Sequence, residues 1–289
     1  MIAVLLVGGE GTRLRPLTEW LPKSMLPIAN RPFLEHQIEH LREHGVDRVI
    51  LSCGYLPEPI RDHFGDRLEY AIEPQPLGTG GAIRFSADGI DETFVVCNGD
   101  VLTDLDLTAL VSQHRRRGAR ATIALHRVDD AGAYGLVRTD GDGRVTAFVE
   151  KPSAGESDVD TINAGTYVLE PAVLELIEPG RAVSVEREVF PRLVGQGLYA
   201  RVDDGRWRDI GTPESYLAAN LELMPPGGLI DPLALVEPTA DVTESVVGAH
   251  ARIGGGARID RSVVLPGADV PAGARFQQAV VGRDGRAVW

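Results

Sequence analysis

Lysine is almost missing from this chain: of 29 basic residues only Lys23 and Lys151 are lysine, so arginine supplies the cation wherever a generic surface charge would do. The two that remain point to places that need a compact, three-donor ammonium, such as a phosphate oxygen that a forked guanidinium does not fit. Cysteine is equally scarce. Cys53 and Cys97 each end an apolar run, which makes them small buried hydrophobes of a reducing compartment rather than a bridge, and the expected location is cytoplasmic. Long hydrophobic runs are lacking too. Ile2 to Val7 stops at Gly8-Gly9, short of the roughly 20 residues of a membrane span and without the basic leader of a signal peptide, so no membrane partner is expected. Positive charge as a whole is in deficit. A net charge of −13 excludes a protein that coats nucleic acid, and any phosphate site must be local. The densest basic run, Arg115 to Arg117, closes a helical pattern from Leu107 to Gln113, where cations suit the helix C-terminus.

Short apolar runs are what the chain does have. Ile2 to Val7, Val49 to Cys53, Phe94 to Cys97 and Thr122 to Leu125 alternate with amphipathic stretches such as Leu34 to Leu41. This is the pattern of an α/β fold, a Rossmann-like mixed, mostly parallel sheet flanked by helices. In such sheets ligands bind beyond the carboxyl ends of the strands, so the segments after each run are the place to look for chemistry. Helical patterning ceases after Leu221, and Pro225-Pro226-Gly227-Gly228 marks a boundary, dividing residues 1–226 from 227–289. Beyond it Val247, Ile253, Ile259 and Leu265 recur every six residues, with Ala251, Ala257 and Val263 four places on. That is the hexapeptide signature of a short left-handed parallel β-helix. Two or three coils are the least such a stack needs, so its ends should be covered by the rest of the chain or by another subunit, which makes a homo-oligomer the expectation.

Directly after the first strand comes Gly8-Gly9-Glu10-Gly11-Thr12-Arg13-Leu14, followed by Pro22-Lys23-Ser24-Met25-Leu26-Pro27. Glycines let backbone N–H groups approach phosphate closely, and Arg13 and Lys23 add full charges. The third glycine of a dinucleotide fingerprint is missing, and so is the Gly-Lys-Ser/Thr of a P-loop. Phosphoryl chemistry on a triphosphate needs a divalent cation, and Mg²⁺ prefers one or two carboxylates with waters and phosphate oxygens. Asp100, after a buried strand and a glycine, suits it, while Asp104 or Asp106 suits a helix cap.

The glycine loop with its Pro-Lys-x-Met-Leu-Pro continuation resembles the signature of the sugar-1-phosphate nucleotidyltransferases. The likeness continues through Asn98-Gly99-Asp100, Phe148 to Pro152, Ile162 to Tyr167 and Trp207 to Pro213, spans residues 1–222, and is closest to the mannose-1-phosphate guanylyltransferases. It implies in-line attack of a sugar 1-phosphate on the α-phosphorus of a nucleoside triphosphate, with pyrophosphate leaving and Mg²⁺ as cofactor. It also implies roles. Gly8, Gly9, Gly11, Thr12, Glu73 and Gly78 surround the nucleotide; Arg13 holds pyrophosphate; Lys23 contacts the α-phosphate; Lys151 anchors the sugar phosphate; Tyr134, Gly135, Glu150 and Asn163 line the hexose pocket; Asp100 and Asp209 bind metal.

Glu73 tilts the base toward guanine, whose adjacent N1–H and N2–H a carboxylate accepts in parallel, although Gln75 could serve a pyrimidine and Glu73 could instead cap a turn before Pro74. Thymidylyl or uridylyl transfer to glucose 1-phosphate, guanylyl transfer to a heptose 1-phosphate, and an inactive nucleotide-sugar sensor are the alternatives. A sensor should have lost part of the charged set, and none is missing. His36, His40 and His44 lie opposite the apolar stripe of Leu34, Ile38 and Leu41, and are read as solvent-facing side chains rather than a metal site.

Overall fold

In the computed structural model, which describes residues 1–19, 21–128, 135–150 and 160–288, the first apolar run becomes the middle of a nine-stranded sheet. β1 (Ile2–Leu6) pairs in parallel with β2 (Arg48–Cys53) on one side, and β3 (Glu69–Ile72) follows β2 in the same sense. On its other side β1 pairs in parallel with β4 (Phe94–Asn98). Ala3 to Leu5 and Phe94 to Val96 are wholly buried, as strands covered on both faces must be. Parallel neighbours need crossovers, supplied by α1 (Phe33–Glu43), α2 (Glu58–Phe64) and α3 (Gly78–Ser86).

Past β4 the sheet changes sense. α4 (Leu107–Arg117) starts on Asp106, whose carboxylate accepts from the Ala109 N–H at 2.9 Å, and ends on Gly118 in the left-handed conformation. The arginine run therefore occupies its last turn. It leads into β5 (Ala121–Arg127), then the hairpin of β6 (Gly135–Thr139) and β7 (Val145–Glu150), then β8 (Thr161–Leu169) and β9 (Leu198–Val202). β8 runs antiparallel to β4, β5 and β6, while β9 is parallel to β5. The result is the expected mixed sheet, with a parallel half and an antiparallel half. These strands belong to one compact unit, Met1–Gly9 with Gln37–Trp207.

One expectation is corrected on α1. Leu34, Ile38 and Leu41 are buried, but His36, His40 and His44 are half-buried and not out in solvent. His36 Nε2 lies 2.9 Å from the Ile28 carbonyl and His44 Nδ1 2.8 Å from Thr108 Oγ1. Burial lowers the His40 pKa, with His44 adding to the effect. Other segments reach over the flank that an isolated amphipathic helix would leave wet. Among the described residues no group of three or more His, Cys, Asp or Glu could hold a metal ion.

The second unit joins Glu10–His36 to Arg208–Trp289. Its helix α5 (Pro213–Leu223) opens with a reciprocal cap, in which Thr212 Oγ1 accepts from the Ser215 N–H and Ser215 Oγ from the Thr212 N–H. The helix buries Tyr216, whose hydroxyl donates to the Pro27 carbonyl at 2.6 Å, and Asn220, which accepts the Ala29 N–H at 3.0 Å. Ala29 and Asn30 both have positive φ, the geometry of the tight turn that joins the two-residue strands Pro27–Ile28 and Arg31–Pro32.

After α5 only strands of two or three residues occur, stacked as three parallel sheets of a β-helix. Each coil repeats after 17 residues, not 18: the Ser262 N–H donates to Ser245 Oγ and the Ala279 N–H to Ser262 Oγ, both across that interval. The inward positions are thus Val247, Ile253, Ile259, Val264 and Val270, in steps of six, six and five. Val264 and Ala268 replace Leu265 and Val263 of the strict six-residue reading in the coil's own core. The short side turns through Glu244, Arg261 and Gln278, all with φ between 42° and 49°. The buried serines accept the N–H groups that this tight corner would otherwise orphan.

Candidate active site

In the first unit the expected nucleotide residues collect just beyond the ends of β1, β2 and β3. The ladder continues past the strands, with the Val7 N–H donating to the Ser52 carbonyl at 2.9 Å, the Tyr55 N–H to Gly8 at 3.3 Å and the Glu73 N–H to Cys53 at 2.8 Å. Gly8 and Gly54 lie back to back. A β-carbon on Gly8 would come 3.0 Å from the Gly54 nitrogen, whereas none of the described residues crowds Gly9. The same point on Gly8 is 3.4 Å from Glu73 Oε1, so these two residues are brought together. Glu73 is held on both oxygens: Oε1 accepts from Ser52 Oγ at 3.0 Å and Oε2 from the Leu77 N–H at 3.1 Å. The carboxylate therefore does cap a turn, and each oxygen keeps a further lone pair. Gly78 has φ +67° and lies against the Val183 carbonyl, which a β-carbon would approach to 2.7 Å.

Asp100 sits half-buried on the turn after β4. That turn is clamped by a residue without any warning in the sequence: the Gln37 amide donates to the carbonyls of both Asn98 and Val101 at 3.0 Å. The Gly99 N–H donates to the Leu6 carbonyl at 2.9 Å, and a β-carbon on Gly99 would stand 2.6 Å from that oxygen. Among the described residues, Asn98 Oδ1 and Gln37 Oε1 are buried acceptors with no partner. Of the residues expected to line the sugar pocket, Asn163 lies where β8 bulges away from β5. Its Oδ1 accepts from the Gly165 N–H at 3.0 Å and its Nδ2 donates to the Tyr167 hydroxyl at 2.9 Å. Gly135 and Glu150 face each other at the ends of the β6–β7 hairpin, while Tyr134 and Lys151 lie outside the described residues.

In the second unit the loop expected to bind phosphate is a succession of 3₁₀ turns, Thr12–Leu14, Leu17–Glu19 and Lys23–Met25. Gly11 opens the first with φ +61°, and a β-carbon there would lie 2.9 Å from Thr18 Cγ2 and 3.2 Å from Lys23 Cβ. Glycine is thus demanded twice, by conformation and by the nearness of Lys23. Thr18 donates its hydroxyl to the Gly11 carbonyl at 2.8 Å. Arg13 and Asp209 are brought together around Gly211, since a β-carbon on Gly211 would overlap the Asp209 carboxylate and stand 2.6 Å from an Arg13 guanidinium nitrogen. The cap on Thr212 fixes the turn that carries Asp209 and Gly211.

Burial pushes the thiols of Cys53 and Cys97 up to about 12, so both stay protonated and neither is a nucleophile. Ser52, Thr79, Gln37 and Glu186 are the supporting residues that spacing did not reveal. Only Glu186 has a signal, Ser184 ahead of the acidic pair Glu186 and Glu188, a helix-start pattern realised when Ser184 Oγ accepts the Arg187 N–H.

Residues 2–224 match the family described as Nucleotidyl transferase, and residues 234–287 match a GlmU-like C-terminal hexapeptide family. A mannose-1-phosphate guanylyltransferase of Mycobacterium tuberculosis is 41% identical over 96% of this chain and 83% of its own length. Mannose-1-phosphate guanylyltransferase 1 of Arabidopsis thaliana is 39% identical over 98% of this chain and 81% of its own. Among solved structures, HddC from Yersinia pseudotuberculosis superposes with a TM-score of 0.67 at 34% identity, covering 76% of this chain and 98% of that one.

Proposed function

Because the chain belongs to the nucleotidyl transferase family, we propose that it joins GTP to mannose 1-phosphate, giving GDP-mannose and pyrophosphate. Support for the guanylyl and mannose assignments comes from relatives of that name over nearly the whole chain and from a carboxylate, Glu73, beside the Gly8 backbone. The observation that carries the reaction class is the charged set on the glycine loop, with Arg13 and Asp209 sharing the space that Gly211 leaves open.

The attacking phosphate is already an anion, so no protein nucleophile or general base is needed, and catalysis reduces to alignment and charge stabilisation. In this reading Gly8, Gly9, Gly11 and Thr12 present backbone to the triphosphate, with Glu73 at the base and Gly78 beside it. Arg13 takes the charge of the departing pyrophosphate and Lys23 that of the α-phosphate. Tyr134, Gly135, Glu150, Lys151 and Asn163 hold the sugar phosphate. Asp100 and Asp209 would hold a divalent cation, Mg²⁺ by preference. Their hard carboxylate oxygens, and the clamp that Gln37 places on the Asp100 turn, suit such an ion. When bound, it supplies neutralisation of phosphate charge.

We place the catalytic part in residues 1–226 and a structural tail in 227–289, working in the cytoplasm. Ile230, Leu233 and Leu235 on the first coil are 45%, 58% and 63% exposed, which supports self-association through that coil.

The deciding experiment is pyrophosphate release with Mg²⁺ over a grid of GTP, dTTP, UTP, CTP and ATP against mannose, glucose and heptose 1-phosphates. Dominant turnover with GTP and mannose 1-phosphate is expected, abolished by EDTA and restored by Mg²⁺. Turnover with dTTP or UTP instead would overturn the base assignment, and none anywhere would point to a sensor.

A further inference from the structure

Glu186 occupies the centre of a part-buried hydrogen-bond network that joins the start of α3 to Asn163 within the first unit. It is the second residue of a π-helical turn, Val185–Val189, a local geometry that costs regular hydrogen bonding and recurs at functional sites. The segment before it is zipped to the start of α3. The Val183 N–H donates to Leu77 O at 2.8 Å, the Gly80 N–H to Val183 O at 2.8 Å, and the Val185 N–H to Thr79 Oγ1 at 3.0 Å. Glu186 Oε2 accepts from the hydroxyls of Thr79 at 2.7 Å and Ser184 at 2.8 Å. Its other oxygen accepts from the Tyr167 hydroxyl at 3.3 Å, and that hydroxyl accepts in turn from Asn163 Nδ2 at 2.9 Å. The Tyr167 ring is wholly buried, edge-on to Phe190 with centroids 4.9 Å apart, so the hydroxyl has no freedom to move away.

An ionised carboxylate can only accept. Each hydroxyl that meets Glu186 must therefore spend its proton on it and offer only its lone pairs elsewhere. For Thr79 this means accepting from Val185 N–H; for Tyr167 it means accepting from Asn163. The Asn163 amide is thereby locked with its NH₂ toward Tyr167 and its oxygen toward the Gly165 N–H, leaving one N–H and one lone pair of fixed position for a sugar hydroxyl.

We propose that Glu186 is a positioning residue for sugar selectivity: its acceptor-only charge sets, through Tyr167, which way round the Asn163 amide faces the hexose. This inference rests on the sugar-1-phosphate reading above and on Asn163 lining the hexose pocket. Epimers differ in the direction of one hydroxyl, so a site that offers a donor and an acceptor in fixed places separates them, and one whose amide can turn over does not.

The test is Glu186→Gln. Glutamine keeps a carbonyl oxygen for Thr79 and Ser184 but puts an NH₂ against Tyr167, so only the tyrosine end of the network reverses. Kinetics are measured for wild type, Glu186→Gln, Tyr167→Phe and the double variant, with mannose and glucose 1-phosphates and with GTP varied separately. The expected result for both single variants is a rise of about tenfold in KM for mannose 1-phosphate and a lower mannose-to-glucose ratio, with KM for GTP held within about twofold. The double variant should be no worse than either single one. Unchanged sugar KM and selectivity, a parallel rise in both KM values with a lowered Tm, or full additivity would each overturn the proposal. If Glu186→Gln does not fold, Tyr167→Phe decides alone by the same sugar readout. A wild type that turns over no sugar 1-phosphate at all would remove the functional reading and this inference with it, a result distinct from an active wild type whose variants keep their selectivity.

Discussion

Ser52 donates its hydroxyl to Glu73 Oε1 at 3.0 Å, from a side chain wholly buried in β2. The carboxylate expected to read the base is thus aimed from beneath, while the Leu77 N–H holds its other oxygen. Glu73→Gln would put a donor where guanine also presents donors, and the preference for GTP over dTTP or UTP should fall by about 100-fold. Ser52→Ala loosens the aim without changing the chemistry and should cost about fivefold in kcat/KM for GTP. Steady-state rates with each triphosphate check both; a Glu73→Gln enzyme with wild-type base preference would leave the residue as a turn cap and nothing more.

Gly211→Ala tests the space shared by Arg13 and Asp209. The added methyl must displace one or both groups, and kcat should fall by about 100-fold, in line with misplacement of aligned charged groups. The cap on α5 lies beyond it, at Thr212 and Ser215, so Tm should hardly move. Thermal unfolding beside the assay separates this from simple destabilisation.

Gln37→Ala removes the two donors that hold the turn of Asp100. Partners that orient a ligand in this way are worth about 10- to 100-fold in metal affinity. The concentration of Mg²⁺ giving half-maximal rate should rise within that range while kcat at saturating Mg²⁺ stays near wild type. A metal titration curve that does not shift would show that the clamp serves the fold alone.

Acid sensitivity should originate in buried and half-buried histidines of the first unit. His114 is buried between Thr122 Oγ1 and Glu170 Oε1, and burial lowers its pKa from 6.5; His40 is lowered for the same reason. In the window between the folded value and 6.5 the unfolded chain binds more protons, so stability is complete above about 6.5 and declines as pH falls toward the folded value. Burial opposes ionisation of Glu170, but hydrogen bonds from Thr93 and His114 outweigh it and hold its pKa below 4.5. Its contribution is present above 4.5 and is lost as pH falls through that lower value. Tm measured against pH should therefore be flat near neutrality and fall in two stages, and His114→Gln should shrink the upper one. A Tm that does not change between pH 7 and pH 5 would contradict this.

What could be read from the sequence were the features set by spacing along the chain. The parallel strands announce themselves as apolar runs, the glycine loop by glycines that geometry demands at Gly8 and Gly11, and the tail by its aliphatic repeat. What could not be read depends on partners distant in sequence. Gln37 is an ordinary helix residue until its amide meets carbonyls 61 and 64 positions away. Glu186 and Thr79 are 107 apart. For His36, His40 and His44 the sequence points to solvent, because amphipathic patterning identifies one buried face and is silent about what covers the others. The five-residue side of the coil escaped for a different reason: Leu265, next to Val264, is itself buried and mimics an unbroken six-residue step.

That short side turns the tail into a ruler with 17-residue gradations. Length can vary there only in whole gradations, because removing or inserting any other number would carry Ser262 away from Ser245 and rotate every following valine out of the coil. A single-residue deletion between Val247 and Val264 should therefore be far more damaging than excision of an entire coil, so that in this part of the chain a large change is milder than a small one.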